Sequence, residues 1–408
     1  FNTCSVRENP ERRVYGQLGL LKMVKDRRPG MLIGVCGCMP QSRQERQRIV
    51  EQLPHVDLVF GTKNIHRLPY LIQQAITTGR QVVEVWDEDG DIVEGLPVQR
   101  EDDLKAYVTI IYGCDYRCTF CIVPQTRGSQ RSRRPEAIIA EVEQLAREGY
   151  KEVTLLGQTV DAYGKDLGDG TNLADLLRRL NQIDGIQRIR FTTSHPKDIT
   201  PELIDAIAEC EKVCEHLHLP VQSGSNRILK LMARRYTREQ YLKLVEDIRR
   251  RIPDISITTD IIVGFPGETE EDFQQTVSLV EEVGFDSSFT FIYSPRPGTG
   301  APNLPDPTSE EEKRERLHRL NEVQARITRE KSQALAGKVV EILVEGASKY
   351  DARLLSGRTR TNKIVTFAGP PSLRGQLVHV RITEPRTWTL SGELVQHHAT
   401  PTEVAVGS

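Results

Sequence analysis

Three cysteines, Cys114, Cys118 and Cys121, fall within eight residues in the stretch GCDYRCTFC. Thiolates at this spacing bind metal, and their number decides which metal. A closed structural zinc site takes four protein ligands, and no nearby Cys or His completes the loop, His195 and His218 being remote in sequence. A [4Fe–4S] cluster held by three thiolates leaves one iron open, and that iron can bind a ligand and pass it an electron. A second group stands near the start of the chain, with Cys4, Cys36 and Cys38. In an extended strand Cys36 and Cys38 would point the same way, although a lone strand Cys is more often a small buried hydrophobe. Cys210 and Cys214, at helical spacing beside a helix-to-strand transition, read as core packing.

Polar side chains suited to holding a cofactor follow several apolar runs. Gln158 follows TLLG, Ser194 and His195 follow RFTT, Gln222 and Ser223 follow HLPV, and Asp260 lies in TTDIIVGFPGE. Residues 116–134 contain no acid and carry five arginines, among them Arg131 and Arg133. Guanidinium forks beside a metal loop suit a cofactor carboxylate or a nucleic-acid phosphate.

These residues need a scaffold, and the patterning supplies one. As far as about Val98 the order is strand, helix, strand, helix (MLIGVCGC, SRQERQRIVEQL, HVDLVFG, NIHRLPYLIQQAIT), which points to a small parallel α/β layer. The acidic stretch DEDGDIVEGLPVQREDD follows as a linker. From Ala106 six strand signals alternate with helical patterns, so chemistry should sit at the strands' C-terminal ends, where the cysteine loop falls. Periodicity leaves open whether the six strands form a flat sheet or a curved partial barrel. Pro135 and Pro201 fit the first turns of helices, and Thr237/Gln240 and Thr308/Glu311 have capping-box spacing. After a long charged helix only strands remain, a β-rich segment with nine Lys/Arg against five Asp/Glu between Lys338 and His398. A basic β-barrel suits RNA.

A chain of 408 residues with 38% hydrophobic content has ample apolar surface for two or three domains. Its net charge of −2 carries little information on partners. No run of eighteen apolar residues and no secretory leader is visible, and eight cysteines without secretory features point to metal chemistry in a reducing, cytoplasmic compartment. The chain opens on Phe1, and FNTCSVRE reads like the end of a strand, so an incomplete N-terminus is expected.

CDYRCTFC resembles the cluster loop of the radical S-adenosylmethionine superfamily. NTCSVRE (2–8), GCMPQ (37–41), GCDYRCTFCIVPQTRGSQRSR (113–133), HLPVQSGS (218–225), TDIIVGFPGET (259–269) and YSPRPGT (293–299) together are similar to its methylthiotransferases. The final segment, with EGASKYDARLLSGRTRTNKIV, looks like the RNA-binding TRAM domain of that family. The resemblance implies an α/β protein in three parts. These are a methylthiotransferase N-terminal domain (1–98) lacking its start, a radical (β/α)6 partial barrel (99–335) and a TRAM barrel (336–399).

It also implies two [4Fe–4S] clusters. Cys114, Cys118 and Cys121 would hold the one whose open iron chelates S-adenosylmethionine, which is cleaved to a 5′-deoxyadenosyl radical. Cys4 and Cys38 would hold the auxiliary cluster, with its third cysteine upstream of Phe1. By their places at strand ends and beside the loop, Gln158, Ser194, Gln222, Ser223, Asp260, Arg131 and Arg133 are the candidates for holding S-adenosylmethionine. The branch most resembled modifies the tRNA anticodon stem-loop, adding a methylthio group to carbon 2 of N6-isopentenyladenosine at position 37. Its electrons would come from a donor such as flavodoxin or ferredoxin, with no membrane involved. Two other readings stand beside it: a ribosomal-protein methylthiotransferase, and a non-catalytic iron–sulfur protein that binds RNA.

Overall fold

The computed structural model describes residues 1–5 and 8–395. Four parallel strands, β1 (Asn2–Thr3), β2 (Gly34–Gly37), β3 (Leu58–Phe60) and β4 (Val82–Glu84), lie in sequence order in the first sheet. Period-two alternation sends Val35 and Val59 to one face, against Leu18 of α1 (Glu8–Arg27), Met39 of the short α2 (Cys38–Gln41) and Ile49 of α3 (Arg43–Gln52). Leu58 and Phe60 go to the other, against Leu71 and Ala75 of α4 (Leu68–Thr78). Cys36 packs on this second face.

The central unit is built on six parallel strands in two three-stranded sheets. One is β5 (Lys105–Thr109), β8 (Glu152–Leu156) and β9 (Arg188–Phe191), and the other is β10 (His216–His218), β11 (Ser256–Val263) and β12 (Ser287–Ile292). A single parallel bridge, Ile189 to Val213, joins the two halves. The short hairpin β6 (Ile111–Tyr112) and β7 (Arg131–Ser132) brackets α5 (Val123–Arg127) and the cysteine loop. Outward side chains such as Val108, Val153, Ile189, Leu217, Ile257 and Ile261 form one apolar core with the surrounding helices. Those helices include α6 (Pro135–Arg147), α7 (Leu173–Leu180), α8 (Pro201–Glu209), α9 (Asn226–Leu231), α10 (Arg238–Arg251), α11 (Glu270–Val283) and α12 (Glu310–Gln333). Inward positions on the same strands are polar: Glu152, Arg188, Arg190, His216, His218, Thr258 and Asp260. Such a lining offers polar surface to a guest above the floor, where Glu152, Arg188 and Arg190 are themselves buried.

Helix starts obey the local code. Pro135 and Pro201 open α6 and α8, and Thr237 with Gln240 makes a reciprocal capping box on α10. The box on α12 lies one residue beyond the expected pair, at Ser309 and Glu312, because tandem Thr308-Ser309 and Glu311-Glu312 satisfy the same spacing in two registers.

The last unit is a closed five-stranded barrel, β13 (Val339–Ala347), β14 (Leu355–Thr359), β15 (Ile364–Phe367), β16 (Leu377–Pro385) and β17 (Thr389–Leu394), in the order β13-β14-β15-β17-β16. Residues 396–399, expected at its end, lie outside the described residues. Its β14–β15 turn plugs the floor of the six-stranded lumen. Buried Arg188 donates to the Arg358 carbonyl at 2.5 Å, and buried Arg190 donates to the Thr359 and Arg360 carbonyls at 2.8 Å each while pairing with Glu152 at 3.0 Å. Arg360 returns a bidentate bond to Glu215 at 2.7 Å.

Candidate active site

The cysteine loop leaves β6 through Gly113, whose φ of 72° suits glycine and where a Cβ would sit 2.0 Å from the Ser129 carbonyl. Gln158, just past β8, accepts the Gly113 N–H at 2.6 Å and so ties the loop to the neighbouring strand. Thr119 anchors the middle of the loop, its hydroxyl donating to the Leu231 carbonyl at 2.8 Å and its N–H to the Met232 carbonyl at 3.1 Å. The Thr159 hydroxyl donates to Cys114 Sγ at 3.2 Å, and the Arg234 guanidinium to Cys118 Sγ at 3.4 Å.

Burial raises the pKa of Cys114 and pushes Cys121 up to about 12. Ionising these thiols therefore needs a bound cation, which is what a metal supplies. Among the described residues no three His, Cys, Asp or Glu side chains converge as they would around one ion. The three thiols of the loop are likewise not gathered around one point.

Polar groups gather where β8 and β9 end. Asp161 Oδ1, Ser194 Oγ, His195 Nε2 and Asp198 Oδ2 are buried without a hydrogen-bond partner in the protein. Such atoms are rare singly, and four in one region fit a polar guest. The His195 ring stacks on Tyr116 of the cysteine loop with centroids 3.8 Å apart, and Tyr116 donates to Asp198 at 2.7 Å. Burial, reinforced by the Arg234 charge, lowers the His195 pKa to about 2, so the ring is neutral. Past the ends of β9 and β10, two non-glycine residues hold left-handed backbone, Thr193 (φ 64°) and Gln222 (φ 69°). Strain of that kind concentrates at functional sites.

The seven expected cofactor residues divide by location. Gln158, Ser194 and Gln222 stand just past strand ends, and Asp260 lies within β11 facing the lumen, its Oδ1 3.4 Å from His218 Nε2. Ser223 is buried and turned toward Thr276 at 3.3 Å. Arg131 and Arg133 face the linker: Arg131 donates to the Gly90 carbonyl at 2.5 Å, and Arg133 pairs with Glu94 and Glu141 at 2.6 and 2.7 Å. Arg234 and Asp198 were not expected, because nothing local in MARRYT or SHPKD distinguishes them from surface residues; Tyr116 stands inside the cysteine loop, but its partners His195 and Asp198 are remote in sequence.

The N-terminal sheet packs its cysteine edge toward this loop. Thr62 donates to the Thr126 carbonyl of α5 at 2.7 Å, and Arg296 pairs with Glu11 of α1 at 2.8 Å. Cys4 is exposed and Cys38 buried at the start of α2, while burial in the apolar face raises the pKa of Cys36. Cys210 and Cys214 are buried in the barrel unit.

Three family profiles match in chain order: the Radical SAM superfamily over residues 108–280, the uncharacterized protein family UPF0004 over 1–61 and the TRAM domain over 333–395. The structure of OxsB, a cobalamin-dependent S-adenosylmethionine radical enzyme, shares the fold. It aligns at 15% identity with a TM-score of 0.50 over 77% of this chain and 46% of that one. The fold and profiles define a radical S-adenosylmethionine protein, a class that implies a [4Fe–4S] cluster and S-adenosylmethionine.

The tRNA-2-methylthio-N(6)-dimethylallyladenosine synthase of Thermoanaerobacter pseudethanolicus is 56% identical over 97% of this chain and 84% of its own length. That of Geobacillus kaustophilus is 57% identical over 97% and 74%. The chain belongs to this family of radical methylthiotransferases. Among the described residues no helix is long and apolar enough to cross a membrane.

Proposed function

We propose that this protein transfers a methylthio group to carbon 2 of N6-isopentenyladenosine at position 37 of tRNA. The observation that carries the reading is a three-cysteine loop at the open end of a polar-lined partial barrel, in a chain whose relatives carry that activity in their names. An aromatic C–H offers neither a usefully acidic proton nor a leaving group, so acid–base catalysis by side chains cannot open it. When bound, the cluster and S-adenosylmethionine supply a radical strong enough to remove that hydrogen.

Cys114, Cys118 and Cys121 are assigned as the ligands of the radical cluster. Arg234 and Thr159 donate to two of their sulfurs and stabilise the thiolate charge. Gln158 holds the loop in place, and Ser194, Gln222 and Asp260 form the wall for the cofactor's polar groups. Ser223 braces that wall through Thr276. Cys4 and Cys38 are assigned to a second, auxiliary cluster carried toward the first by the Thr62 and Glu11 contacts. The terminal barrel is the platform for tRNA, and a one-electron donor protein of the flavodoxin or ferredoxin kind reduces the centre.

The test is anaerobic reconstitution of the protein with iron and sulfide. It is then incubated with reductant, S-adenosylmethionine and tRNA carrying unmethylthiolated isopentenyladenosine, and the digested nucleosides are weighed by mass spectrometry. A methylthio mass on isopentenyladenosine is expected. Unmodified tRNA, or modification of an offered ribosomal protein instead, refutes the assignment.

A further inference from the structure

A cavity of about 480 Å3 occupies the lumen where the six-stranded unit meets the terminal barrel. One rim is Thr193 and His218, which precede the Ser194 and Gln222 of the proposed cofactor wall by one and four residues. The opposite rim belongs to the terminal barrel and includes Asn362 and Trp388. The intervening lumen wall is polar except at Phe289 of β12. Phe289 is 57% exposed and Trp388 61% exposed. Phe289 meets His218 edge to face, with centroids 5.9 Å apart. Two large aromatic rings open on one cavity make an apolar surface of the kind that marks a ligand site.

We infer that Phe289 and Trp388 form the recognition surface for the prenylated adenine, one ring stacking on the base and the other covering its isopentenyl group. This rests on the function proposed above. Three features select an unstacked base over a peptide, and the prenyl group follows from the function proposed above. The cavity has the size of a small-ligand pocket. None of the proposed cofactor-wall residues lines it, but Thr193 is the chain neighbour of Ser194 and His218 Nε2 lies 3.4 Å from Asp260 Oδ1, so its guest would lie next to that wall. Its aromatic surface contributed by the terminal barrel is the kind on which unstacked bases bind. Phe289 and Trp388 therefore act on binding and specificity, without any part in proton or electron transfer.

Trp86→Phe leaves Trp388 as the single tryptophan. Titrating this variant with an anticodon stem-loop carrying isopentenyladenosine should quench its emission saturably, and a stem-loop carrying plain adenosine should do so more weakly. In turnover assays Phe289→Ala and Trp388→Ala should each raise KM for the prenylated RNA about ten- to a hundredfold, the range expected for a lost base–aromatic stack. They should narrow the preference for prenylated over plain RNA while kcat falls much less. Phe289→Leu should retain most of the preference. The spectral response of the cluster to S-adenosylmethionine should be the same in all variants, which monitors folding.

Emission that does not change while a gel shift shows the RNA bound overturns the inference, as does an unchanged preference in both alanine variants. Wild-type protein that makes no methylthio product refutes the assigned reaction instead. The emission titration then judges the pocket alone, and lack of quenching overturns it.

Discussion

Replacing Arg234 by methionine should lower the reduction potential of the radical cluster. Arg234 is buried, donates from Nη1 to Cys118 Sγ at 3.4 Å, and is oriented by Tyr236 at 3.0 Å and the Pro220 carbonyl at 3.1 Å. Reduction adds one negative charge to the cluster, whose centre would lie about 6 Å from the guanidinium if Cys118 is a ligand. At an effective dielectric of about 20, a unit charge at that distance stabilises the reduced form by about 2.8 kcal/mol. For a one-electron couple this is a drop of about 120 mV when the charge is removed. The assay is a redox titration followed by electron paramagnetic resonance in a Cys38→Ala background, which removes the auxiliary cluster's signal. Methionine keeps the volume, circular dichroism checks the fold, and Arg234→Lys should fall between wild type and Arg234→Met. A potential unchanged in Arg234→Met, or shifted upward, would refute the electrostatic role.

Three other outcomes follow from the geometry. Gln158→Ala strands the Gly113 N–H, which costs about 1–3 kcal/mol and should weaken S-adenosylmethionine binding about tenfold by calorimetry; unchanged affinity would show that the loop needs no tie. Glu268 is buried and its pKa is raised to about 7, first by desolvation, despite nearby Arg316 and the Gly264 and Phe265 amides. Because the folded state holds this proton more tightly than the unfolded one, stability should decline as pH rises from about 4.5 through 7, by about 3 kcal/mol at most. Glu268→Gln should remove that decline in melts at pH 5.5 and 8, and a parallel decline in the variant would assign it elsewhere. Arg190→Met leaves Glu152 buried without its cation and should cost about 3–5 kcal/mol. Limited proteolysis should then release the terminal barrel first, and a barrel that stays protected would show that the floor contact is not what holds it.

The repeating signals were the legible ones. The six strands, the punctuation at Pro135, Pro201 and Thr237, and the closing β-barrel rest on periods of a few residues, which a sequence displays directly. The three-thiol loop was legible for the same reason, its chemistry lying within eight residues. Contacts between distant segments were not. Arg234 reaches Cys118 across 116 positions, Tyr116 meets Asp198 across 82, and RIRFTT gives no sign that Arg188 and Arg190 point inward to the terminal barrel. Arg131 and Arg133 illustrate the converse, since the acids that engage the Arg133 guanidinium lie in the linker and on α6, outside the acid-free window that drew attention to it.

The reaction itself is tested most directly by tracing one hydrogen. Transfer RNA carrying isopentenyladenosine with deuterium at carbon 2 would be turned over by the reconstituted protein, and 5′-deoxyadenosine and tRNA nucleosides would be analysed together. Deuterium is expected in 5′-deoxyadenosine in step with methylthio product lacking it at carbon 2. Methylthio product formed while 5′-deoxyadenosine stays unlabelled, or labelled tRNA returned intact as S-adenosylmethionine is consumed, would contradict it.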